Sequence, residues 1–233
     1  MDIKVLASGS RGNAYLVSDG VTPLLLECGI PIKQIRQGLD FGLSDVAACL
    51  VSHEHKDHSK AVEDVFRMGV DIYSSPGTFK ALGLNGHRLR PVKDKQSFEV
   101  GSWLIRAFET QHDCAEPLGY LLHSKVTGER LVFATDTYYV RYKFPGLTHI
   151  MIECNYASDI LQANLDAGLV HPAMRRRLLT SHFSLDNVKE FLRANDLSKV
   201  REIWLLHLSD GNSDAERFKR EIQELTGKMV FAA

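Results

Sequence analysis

The strongest constraint on this chain is a short run of potential metal ligands. The run is Ser52-His53-Glu54-His55-Lys56-Asp57-His58, and it directly follows the apolar segment Val46–Val51. Such a segment is typical of a strand covered on both faces. The ligands therefore lie at a strand-to-helix junction, where a loop can turn them toward one point. Imidazole with carboxylate suits Zn²⁺, Mn²⁺ or Fe, whereas Mg²⁺ and Ca²⁺ prefer oxygen ligands.

The ligands in this run exceed the needs of one catalytic metal, because a hydrolytic site keeps one coordination position open for water. Two metal ions are therefore the better interpretation. The alternative is a polar, solvated turn in which Asp57 only caps a helix. The HxHxDH spacing directly after a buried strand argues against that alternative.

Three further candidate ligands follow other predicted strands. Each lies just past the carboxyl end of an apolar segment: His112 after Trp103–Phe108, Asp136 after Leu131–Ala134, and His207 after Ile203–Leu206. Taken singly, each could be a turn residue or a core histidine with satisfied hydrogen bonds. As a set at equivalent positions on rigid elements, they are better explained as ligands.

Composition limits the class of protein. The chain has 233 residues, of which 44% are hydrophobic and 24% charged, and 28 basic against 29 acidic side chains leave a net charge of −1. These values exclude a disordered tail, a collagen-like fibre and a highly basic DNA-coating protein. The length favours a single hydrolase domain over residues 1–233.

The sequence also bears on the compartment. No segment approaches the roughly 18–20 uninterrupted apolar residues of a membrane helix. The start, Met1-Asp2-Ile3-Lys4, lacks the charged and apolar regions of a secretory signal. The four cysteines form no CxxC pair and are expected to be reduced thiols. We therefore expect a cytoplasmic protein with no membrane partner.

The order of predicted elements indicates an α/β fold. Strands are predicted at Ile3–Leu6, Ala14–Val17, Pro23–Leu26, Val46–Val51, Ile72–Tyr73, Trp103–Phe108, Tyr120–Leu122, Leu131–Ala134, Ile150–Ile152, Ile203–Leu206 and Met229–Phe231. Helices are predicted at Pro31–Gly38, Ser59–Met68, Thr78–Leu82, Asp159–Ala167, Ala173–Leu179, Leu185–Ala194 and Asp214–Leu225. Two successive blocks of strands with helices outside them predict two packed sheets between helices.

The HxHxDH run, with a distant His, Asp and His, resembles the metallo-β-lactamase superfamily. The resemblance spans nearly the whole chain and implies an αββα four-layer sandwich of two mixed β-sheets flanked by helices. It also implies a ligand assignment: one metal is held by His53, His55 and His112, the other by Asp57, His58 and His207, and Asp136 bridges them.

One residue departs from the superfamily pattern. Glu27, in Leu24–Gly29, lies where the superfamily usually has Asp. That residue normally supports the ligands through hydrogen bonds. The longer side chain removes no ligand, but it leaves the hydrogen bonds at this position open.

Within the superfamily, the segment Leu6–Asn13 resembles the opening of the YycJ-like (WalJ-type) exonucleases. Arg11 lies where those proteins have a second small residue. The segments Pro117–Tyr120 and His207–Ser209 fit the same group. These motifs favour a phosphodiesterase branch over the antibiotic-hydrolysing branch.

The chemistry implied by two close cations is hydrolysis of a phosphodiester. The cations can generate a hydroxide and neutralise phosphoryl charge, and Asp57 is accordingly both a ligand and a catalytic candidate. Expulsion of the leaving oxygen needs an acid. His182, just before a predicted helix with Ser184 as N-cap, resembles a histidine that pairs with a glutamate in tRNA-processing and exonuclease members. Glu153 matches that glutamate. The alternative is a capping histidine and a surface carboxylate.

Other polar residues allow two readings. Ser8, Ser10, Arg11 and Asn13 lie in a loop that could cradle a phosphate or form a plain turn. Basic residues also cluster at Arg175–Arg177 and at Arg88, Arg90, Lys93 and Lys95, and such charge runs are typical of solvated surface. Arg175–Arg177, close to His182, could instead track a phosphate backbone. Four histidines lack a clustered context and are expected on the surface or in loops: His87, His123, His149 and His171.

The sequence thus predicts a dinuclear metal hydrolase, with a 5′-to-3′ DNA exonuclease favoured. Two alternatives remain: a cyclic-nucleotide or RNA phosphodiesterase, and a thioester or lactone hydrolase that needs no acid at His182. A non-enzymatic binding module gains nothing from seven convergent ligands. The choice between Zn²⁺ and Mn²⁺, the cleavage polarity and a homodimer stay open.

Overall fold

The computed structural model describes residues 1–233, and the chain divides into two units. Buried apolar strands form the core of the first unit. The first unit comprises residues 1–109 and 114–129, and the second comprises residues 110–113 and 130–233. The expectation of one hydrolase domain over residues 1–233 stays a prediction. None of the helices is both long enough and apolar enough to span a membrane.

The first unit contains a mixed sheet whose strands follow chain order. They are β1 (Asp2–Ala7), β2 (Ala14–Ser18), β3 (Pro23–Leu26), β4 (Ala48–Leu50), β5 (Asp71–Ser74) and β6 (Leu89–Pro91). Pairing is antiparallel from β1 to β3 and parallel from β3 to β6. Every residue of β4 is buried, as expected of a parallel strand covered on both faces.

Short helices connect the parallel strands of the first unit. They are α1 (Ile32–Gly38), α2 (Lys56–Ser59), α3 (Val62–Arg67) and α4 (Pro76–Leu82), with a 3₁₀ turn at Leu43–Asp45. The prediction of one continuous helix over Ser59–Met68 is wrong. The backbone N–H of Ala61 donates to the carbonyl of Cys28 at 2.9 Å, outside the helical ladder, and α2 ends there. This bond holds the residues between the two helices against the segment that follows β3.

An antiparallel meander packs on this sheet within the first unit. It comprises β7 (Ser97–Val100), β8 (Trp103–Glu109) and β9 (Leu118–Ser124). The Tyr120 hydroxyl donates to the Val51 carbonyl at 2.8 Å, and the Trp103 indole N–H donates to the Thr22 carbonyl at 2.8 Å. These two bonds fasten the meander to the loop after β4 and to the turn before β3.

The second unit contains parallel strands flanked by helices. The strands pair in the order β10 (Arg130–Ala134), β11 (His149–Glu153), β12 (Glu202–Leu206) and β13 (Met229–Ala232). The helices are α5 (Ser158–Asp166), α6 (Pro172–Ser181), α7 (Leu185–Ala194) and α8 (Ala215–Thr226). β11 is buried along its whole length, which explains its uninterrupted apolar run.

Most predicted elements agree with the structure to within two residues at each end, and Leu185–Ala194 agrees at both ends. Only Ala48–Leu50 of the run Val46–Val51 forms a strand. The prediction omits β6 and β7, which are only three and four residues long. Pairing with β5 and β8 makes them strands. The four cysteines are free thiols, as expected.

Asp19 joins three turns of the first unit. One carboxylate oxygen accepts the backbone N–H groups of Val21 and Thr22, and the other accepts the hydroxyls of Ser102 at 2.6 Å and Ser124 at 2.7 Å. Burial acts against ionisation, but the hydrogen bonds from the serines and Thr22 outweigh it and hold the pKa of Asp19 below its usual value. The sequence pattern contains no signal for this junction.

We predict that Asp19→Asn lowers the free energy of unfolding by about 1–3 kcal/mol, because buried hydroxyls lose an acceptor. A carboxylate with a lowered folded-state pKa stabilises the fold above its unfolded pKa of about 3.9 and loses that contribution as the pH falls through the folded value. Urea unfolding at pH 7 and at pH 3 tests this. The difference between variant and wild type should shrink at the lower pH, and a constant difference would contradict the charged role of Asp19.

Candidate metal-binding clusters

The HxHxDH loop begins where β4 ends. Leu50 pairs with Leu26 of β3, so the loop after β4 and the residue after β3 leave the same edge of the parallel sheet. The Ser52 carbonyl accepts the Leu118 N–H at 3.0 Å, which anchors the loop to β9. This edge, at the carboxyl ends of parallel strands, is where α/β proteins place their ligands.

The histidines of this loop pack against one another. The ring centroid of His53 lies 4.6 Å from that of His55 and 4.3 Å from that of His58. A carboxylate oxygen of Asp57 lies 3.3 Å from Nε2 of His58. His53 and His58 are buried, and His55 and Asp57 are partly exposed. The four residues predicted as ligands therefore lie together on one loop of the first unit.

Glu27 supports this loop from the end of β3. The residue adopts a left-handed conformation, with φ of 61°, and its side chain is fully buried. One carboxylate oxygen accepts the Ser52 N–H at 3.0 Å, and the other lies 3.5 Å from Nδ1 of His58. Burial raises the pKa of Glu27 despite the opposing effects of His58 and Ser52. The hydrogen bonding that the sequence left open is thus one bond to the HxHxDH loop, at Ser52, with His58 close to the second oxygen.

Asn13 holds the loop from the other side. Its backbone N–H donates to the Asp57 carbonyl at 2.7 Å, and its side-chain amide donates to the same carbonyl at 3.2 Å. Gly29 lies against this contact, since an added Cβ would come within 1.7 Å of the Asp57 oxygen. Within the segment Ser8–Asn13, Asn13 therefore has a structural role, because it holds the HxHxDH loop at Asp57. Ser10 and Arg11 are exposed, and their contact with substrate stays a prediction.

The second unit gathers its candidate residues at the carboxyl ends of three adjacent parallel strands. Asp136 follows β10, Glu153 ends β11 and His207 follows β12. Asp136 and His207 both have positive φ, of 25° and 52°. Strained backbone of this kind is typical of sites whose surroundings over-determine the conformation. Register explains the placement, because Ala134 pairs with Ile152 and Glu153 pairs with Leu206.

Glu153 is the centre of this cluster and is fully buried. One carboxylate oxygen accepts a hydrogen bond from Nδ1 of His182 at 2.5 Å, and the same oxygen lies 3.1 Å from Nδ1 of His207. The other accepts the backbone N–H groups of Thr137 at 2.9 Å and Phe183 at 3.1 Å. The alternative of a surface carboxylate at this position is therefore wrong.

His182 lies between α6 and α7, where it ends the first helix and precedes the N-cap Ser184 of the second. Burial alone would lower the pKa of His182, but the neighbouring Glu153 carboxylate outweighs burial and raises it. Burial likewise acts to raise the pKa of Glu153, and the charge of His182 outweighs it in the opposite direction. Donation from Nδ1 makes Nε2 the nitrogen that can exchange a proton.

His207 and Asp136 form the other contact of the cluster, with Nδ1 of His207 3.0 Å from an Asp136 oxygen. The Asn155 side chain donates to the His207 carbonyl at 2.9 Å, and the Thr135 hydroxyl donates to Asp136 at 3.0 Å. Sequence reasoning missed both supporting residues. Thr135 is adjacent to its ligand and could have been found, whereas Asn155 is distant in sequence from His207.

His112 completes the candidate residues of the second unit. Its Nδ1 donates to the Ser181 carbonyl at 2.8 Å, and its Nε2 lies 3.6 Å from an oxygen of Asp136. Burial lowers the pKa of His112 and outweighs the nearby Asp136 carboxylate. A ring kept neutral in this way is the form that binds a metal.

The donor sets of both clusters fit a divalent transition metal. In the second unit, ligand atoms of Asp136, Glu153, His182 and His207 all lie within 4.8 Å of one another. In the first unit, the four predicted ligands of the loop are three imidazoles and one carboxylate. Mixed imidazole and carboxylate donors are typical of Zn²⁺ and Mn²⁺ sites and not of Ca²⁺ sites.

Outside the clusters, the prediction for His149 is wrong. His149 was expected on the surface or in a loop, but it begins β11 and is only 2% exposed. The Thr148 hydroxyl lies 2.9 Å from its Nδ1. His87 and His171 are exposed, and His123 is half-buried on β9. Arg88 and Arg90 form ion pairs with Asp71 at 3.1 and 2.9 Å, which indicates a structural role for that basic group.

Comparison with known proteins decides the family. A sequence profile described as "Beta-lactamase superfamily domain" matches residues 25–208. The chain belongs to this superfamily. Residues 25–208 include the HxHxDH loop, both supporting glutamates and every candidate metal ligand.

Two curated relatives of this superfamily member cover almost all of it. "Exodeoxyribonuclease YycJ" of Bacillus anthracis is 27% identical in an alignment 248 positions long that covers 99% of this chain and 91% of the relative. "Exodeoxyribonuclease WalJ" of Streptococcus pneumoniae is 29% identical in an alignment 230 positions long that covers 91% of this chain and 83% of the relative. The resemblance to YycJ-like proteins inferred from the motifs is confirmed.

A solved structure agrees on the fold. The metallo-β-lactamase fold protein YhfI from Bacillus subtilis superimposes with a TM-score of 0.75 at 18% identity, over 99% of this chain and 95% of that one. The predicted fold class, two mixed β-sheets flanked by helices, is confirmed. The chain is a hydrolase of the metallo-β-lactamase superfamily.

We predict that Glu27→Gln weakens binding of Zn²⁺ about 10–100-fold, because groups that orient a ligand typically contribute that much. Competition with a chromophoric chelator measures the affinity. Glu63→Gln, an exposed glutamate on α3, is the matched control and should bind Zn²⁺ like the wild type. Equal affinity of Glu27→Gln and wild type, with both folded, would show that Glu27 does not orient His58.

Proposed function

We propose that the chain is a metal-dependent DNA exonuclease that hydrolyses phosphodiester bonds from the 5′ end. The two curated relatives named exodeoxyribonucleases support this substrate class. The observation that carries the proposal is the buried Glu153, which accepts Nδ1 of His182 at 2.5 Å beside Asp136 and His207. Such a pair suits the protonation of a poor leaving group.

We propose two divalent metal ions, Zn²⁺ or Mn²⁺, as the cofactors. Seven side chains are the proposed ligands: His53, His55, Asp57 and His58 on the first unit, and His112, Asp136 and His207 on the second. When bound, the cations supply Lewis acidity and an activated water nucleophile. The protein supplies imidazole and carboxylate donors, and two hydrogen bonds orient the loops that carry them: Glu27 accepts the Ser52 N–H, and Asn155 donates to the His207 carbonyl.

In this proposal His182 is the proton donor. Glu153 accepts the Nδ1–H, orients the ring and stabilises its charged form, so that Nε2 can donate a proton to the oxygen leaving the phosphorus. The backbone N–H groups of Thr137 and Phe183 donate to the second oxygen of Glu153 and stabilise the ionised carboxylate. The Nδ1 proton therefore stays on His182 while Nε2 donates to the leaving oxygen.

We further propose that substrate phosphates contact the exposed part of the Ser8–Asn13 loop. Ser10 and Arg11 are exposed and able to bind an anion, whereas Ser8 bonds Tyr15 at 2.8 Å and Asn13 clamps the ligand loop. The loop turns between Gly9 and Gly12, which have φ of 136° and 148°. The backbone N–H groups of Gly9, Gly12 and Asn13 donate within the protein, so the proposed phosphate contact is with the exposed residues Ser10 and Arg11.

We predict that the purified chain contains close to two equivalents of Zn²⁺ or Mn²⁺ and degrades a linear DNA oligonucleotide. Elemental analysis measures the metal, and gels with 5′- and 3′-labelled DNA report the polarity. Early release of a labelled 5′ nucleotide is expected. EDTA should abolish activity and added metal should restore it, because the nucleophile depends on the cation.

The other candidate functions give different results in the same assay. Cleavage of RNA or a cyclic nucleotide without DNA cleavage would replace the exonuclease by another phosphodiesterase. Hydrolysis of a thioester or lactone alone would exclude phosphodiester chemistry. A homodimer and a cytoplasmic location also stay predictions, and size-exclusion chromatography with light scattering tests the former.

We predict that His182→Ala lowers kcat on DNA by about 10²–10⁴-fold, the usual contribution of a positioned acid. Glu153→Gln should lower it too, because the amide no longer orients a charged imidazole. The control is His87→Ala, which removes an exposed histidine. Initial rates on a 5′-labelled oligonucleotide measure the effect, with metal content determined for each variant.

A metal-replete His182→Ala protein with wild-type kcat on DNA would refute the proton-donor role. A loss of metal in that variant would show that His182 acts as a ligand instead. Aryl phosphodiesters discriminate further, because a good leaving group needs little protonation. The loss on an aryl ester should therefore be smaller than the loss on DNA.

A further inference from the structure

The second unit exposes an aromatic and basic segment directly after Asp136. In Tyr138–Leu147 the sequence alternates aromatic and basic residues and contains no acidic residue. Tyr139 is 54% exposed and Tyr138 is 37% exposed, while Val140 and Phe144 are buried. The segment is thus held by its apolar residues and presents its rings and charges to solvent.

The backbone of this segment is fixed by bonds that do not use the tyrosine rings. The Thr137 hydroxyl donates to the Tyr139 carbonyl at 2.8 Å, and Asn187 donates to the Tyr138 carbonyl at 3.1 Å. The Phe144 N–H donates to Asn195 at 2.8 Å. A loop held in this way presents its side chains without a large cost of ordering on binding.

Two arginines connect this segment and α6 to the residues around His112. Arg141 donates to the Gln111 side chain at 3.0 Å, and Arg177 donates to Asp113 at 3.2 Å. The two guanidinium groups therefore bracket the stretch that carries His112. Arg141 therefore adds positive charge beside the candidate metal-binding cluster of the second unit, whereas Asp113 balances the charge of Arg177.

Helix α6 extends this positive surface. Almost the whole helix is exposed, and Arg175 and Arg176 lie in this exposed stretch. The stretch from Ala167 to His182 contains no acidic residue. The helix ends at His182, so a phosphate chain bound along it would lead to the proposed proton donor.

We propose that Tyr138, Tyr139, Arg141, Lys143 and the Arg175–Arg176 pair form a binding surface for single-stranded nucleic acid, with bases stacked on the two tyrosines. This inference rests on the proposed nuclease function and refines its substrate. The tyrosine faces accept any base, while arginine and lysine bind phosphates. A duplex hides its base faces, and the single-stranded end of DNA is therefore the preferred ligand.

The test measures binding separately from cleavage. A fluorescein-labelled, single-stranded phosphorothioate DNA 12-mer resists hydrolysis, and fluorescence anisotropy gives its Kd with the protein as isolated. For Tyr138→Ala/Tyr139→Ala, Kd should rise about 10-fold or more, since stacking on one aromatic side chain typically contributes about 1–3 kcal/mol. Tyr139→Ala alone should give a smaller rise.

Two controls separate stacking from loss of folding. Tyr138→Phe/Tyr139→Phe keeps the rings and should bind like the wild type. Phe41→Ala removes an aromatic residue that is 66% exposed in the first unit and should also leave Kd unchanged. The wild type should bind the same sequence as a duplex more weakly than as a single strand. Thermal melting verifies that each variant is folded.

Equal affinity of the double alanine variant and wild type would overturn the inference, as would a wild type that binds no single-stranded DNA or prefers the duplex. A change from dimer to monomer in the double alanine variant, without a change in DNA affinity, would assign the tyrosines to a second copy of the chain. A failure of the proposed function gives a different result from a failure of this inference. The wild-type protein would then leave an unmodified DNA oligonucleotide uncleaved, whatever its affinity for that DNA.

Discussion

The second unit depends on one buried carboxylate. Glu153 accepts hydrogen from two imidazoles and two backbone N–H groups, and so ties the ends of three parallel strands to the junction of α6 and α7. A buried carboxylate with fewer partners would be costly to ionise. With all of these partners it stays charged and determines the orientation of His182 and His207.

The first unit also contains a buried glutamate, Glu27, but burial and hydrogen bonding affect its pKa differently from that of Glu153. Glu27 also lies at the carboxyl end of a parallel strand and is fully buried, but its partners are one backbone N–H and one imidazole at 3.5 Å. Burial consequently dominates, and the pKa of Glu27 is raised where that of Glu153 is lowered. Asn13 provides the remaining restraint by binding the Asp57 carbonyl twice. The ligand loop is thus held by neutral hydrogen bonds as much as by charge.

Features that depend on residues close together in the sequence could be predicted, and features that depend on distant residues could not. The HxHxDH loop and the strand ends at Asp136 and His207 were found because local order repeats at each site: an apolar strand followed by a polar ligand. Helix α7 was located from its periodicity and cap. The break between α2 and α3 and the burial of His149 were missed, because each depends on a partner distant in the chain or on the packing of a whole sheet.

The sequence by itself predicted two sheets between helices from the apolar pattern and candidate metal ligands from residue type and spacing, and its resemblance to a known superfamily implied the fold class. It also named His182 and Glu153 as a pair, but only by resemblance, and could not distinguish that pair from a helix cap and a surface carboxylate. The tertiary structure decided this, since only parallel register brings the end of β11 beside the junction of α6 and α7. It also placed Arg141 and Arg177, from two separate segments, beside the stretch around His112. The sequence could not predict these contacts, because hydrogen bonds between distant residues have no signature in local sequence.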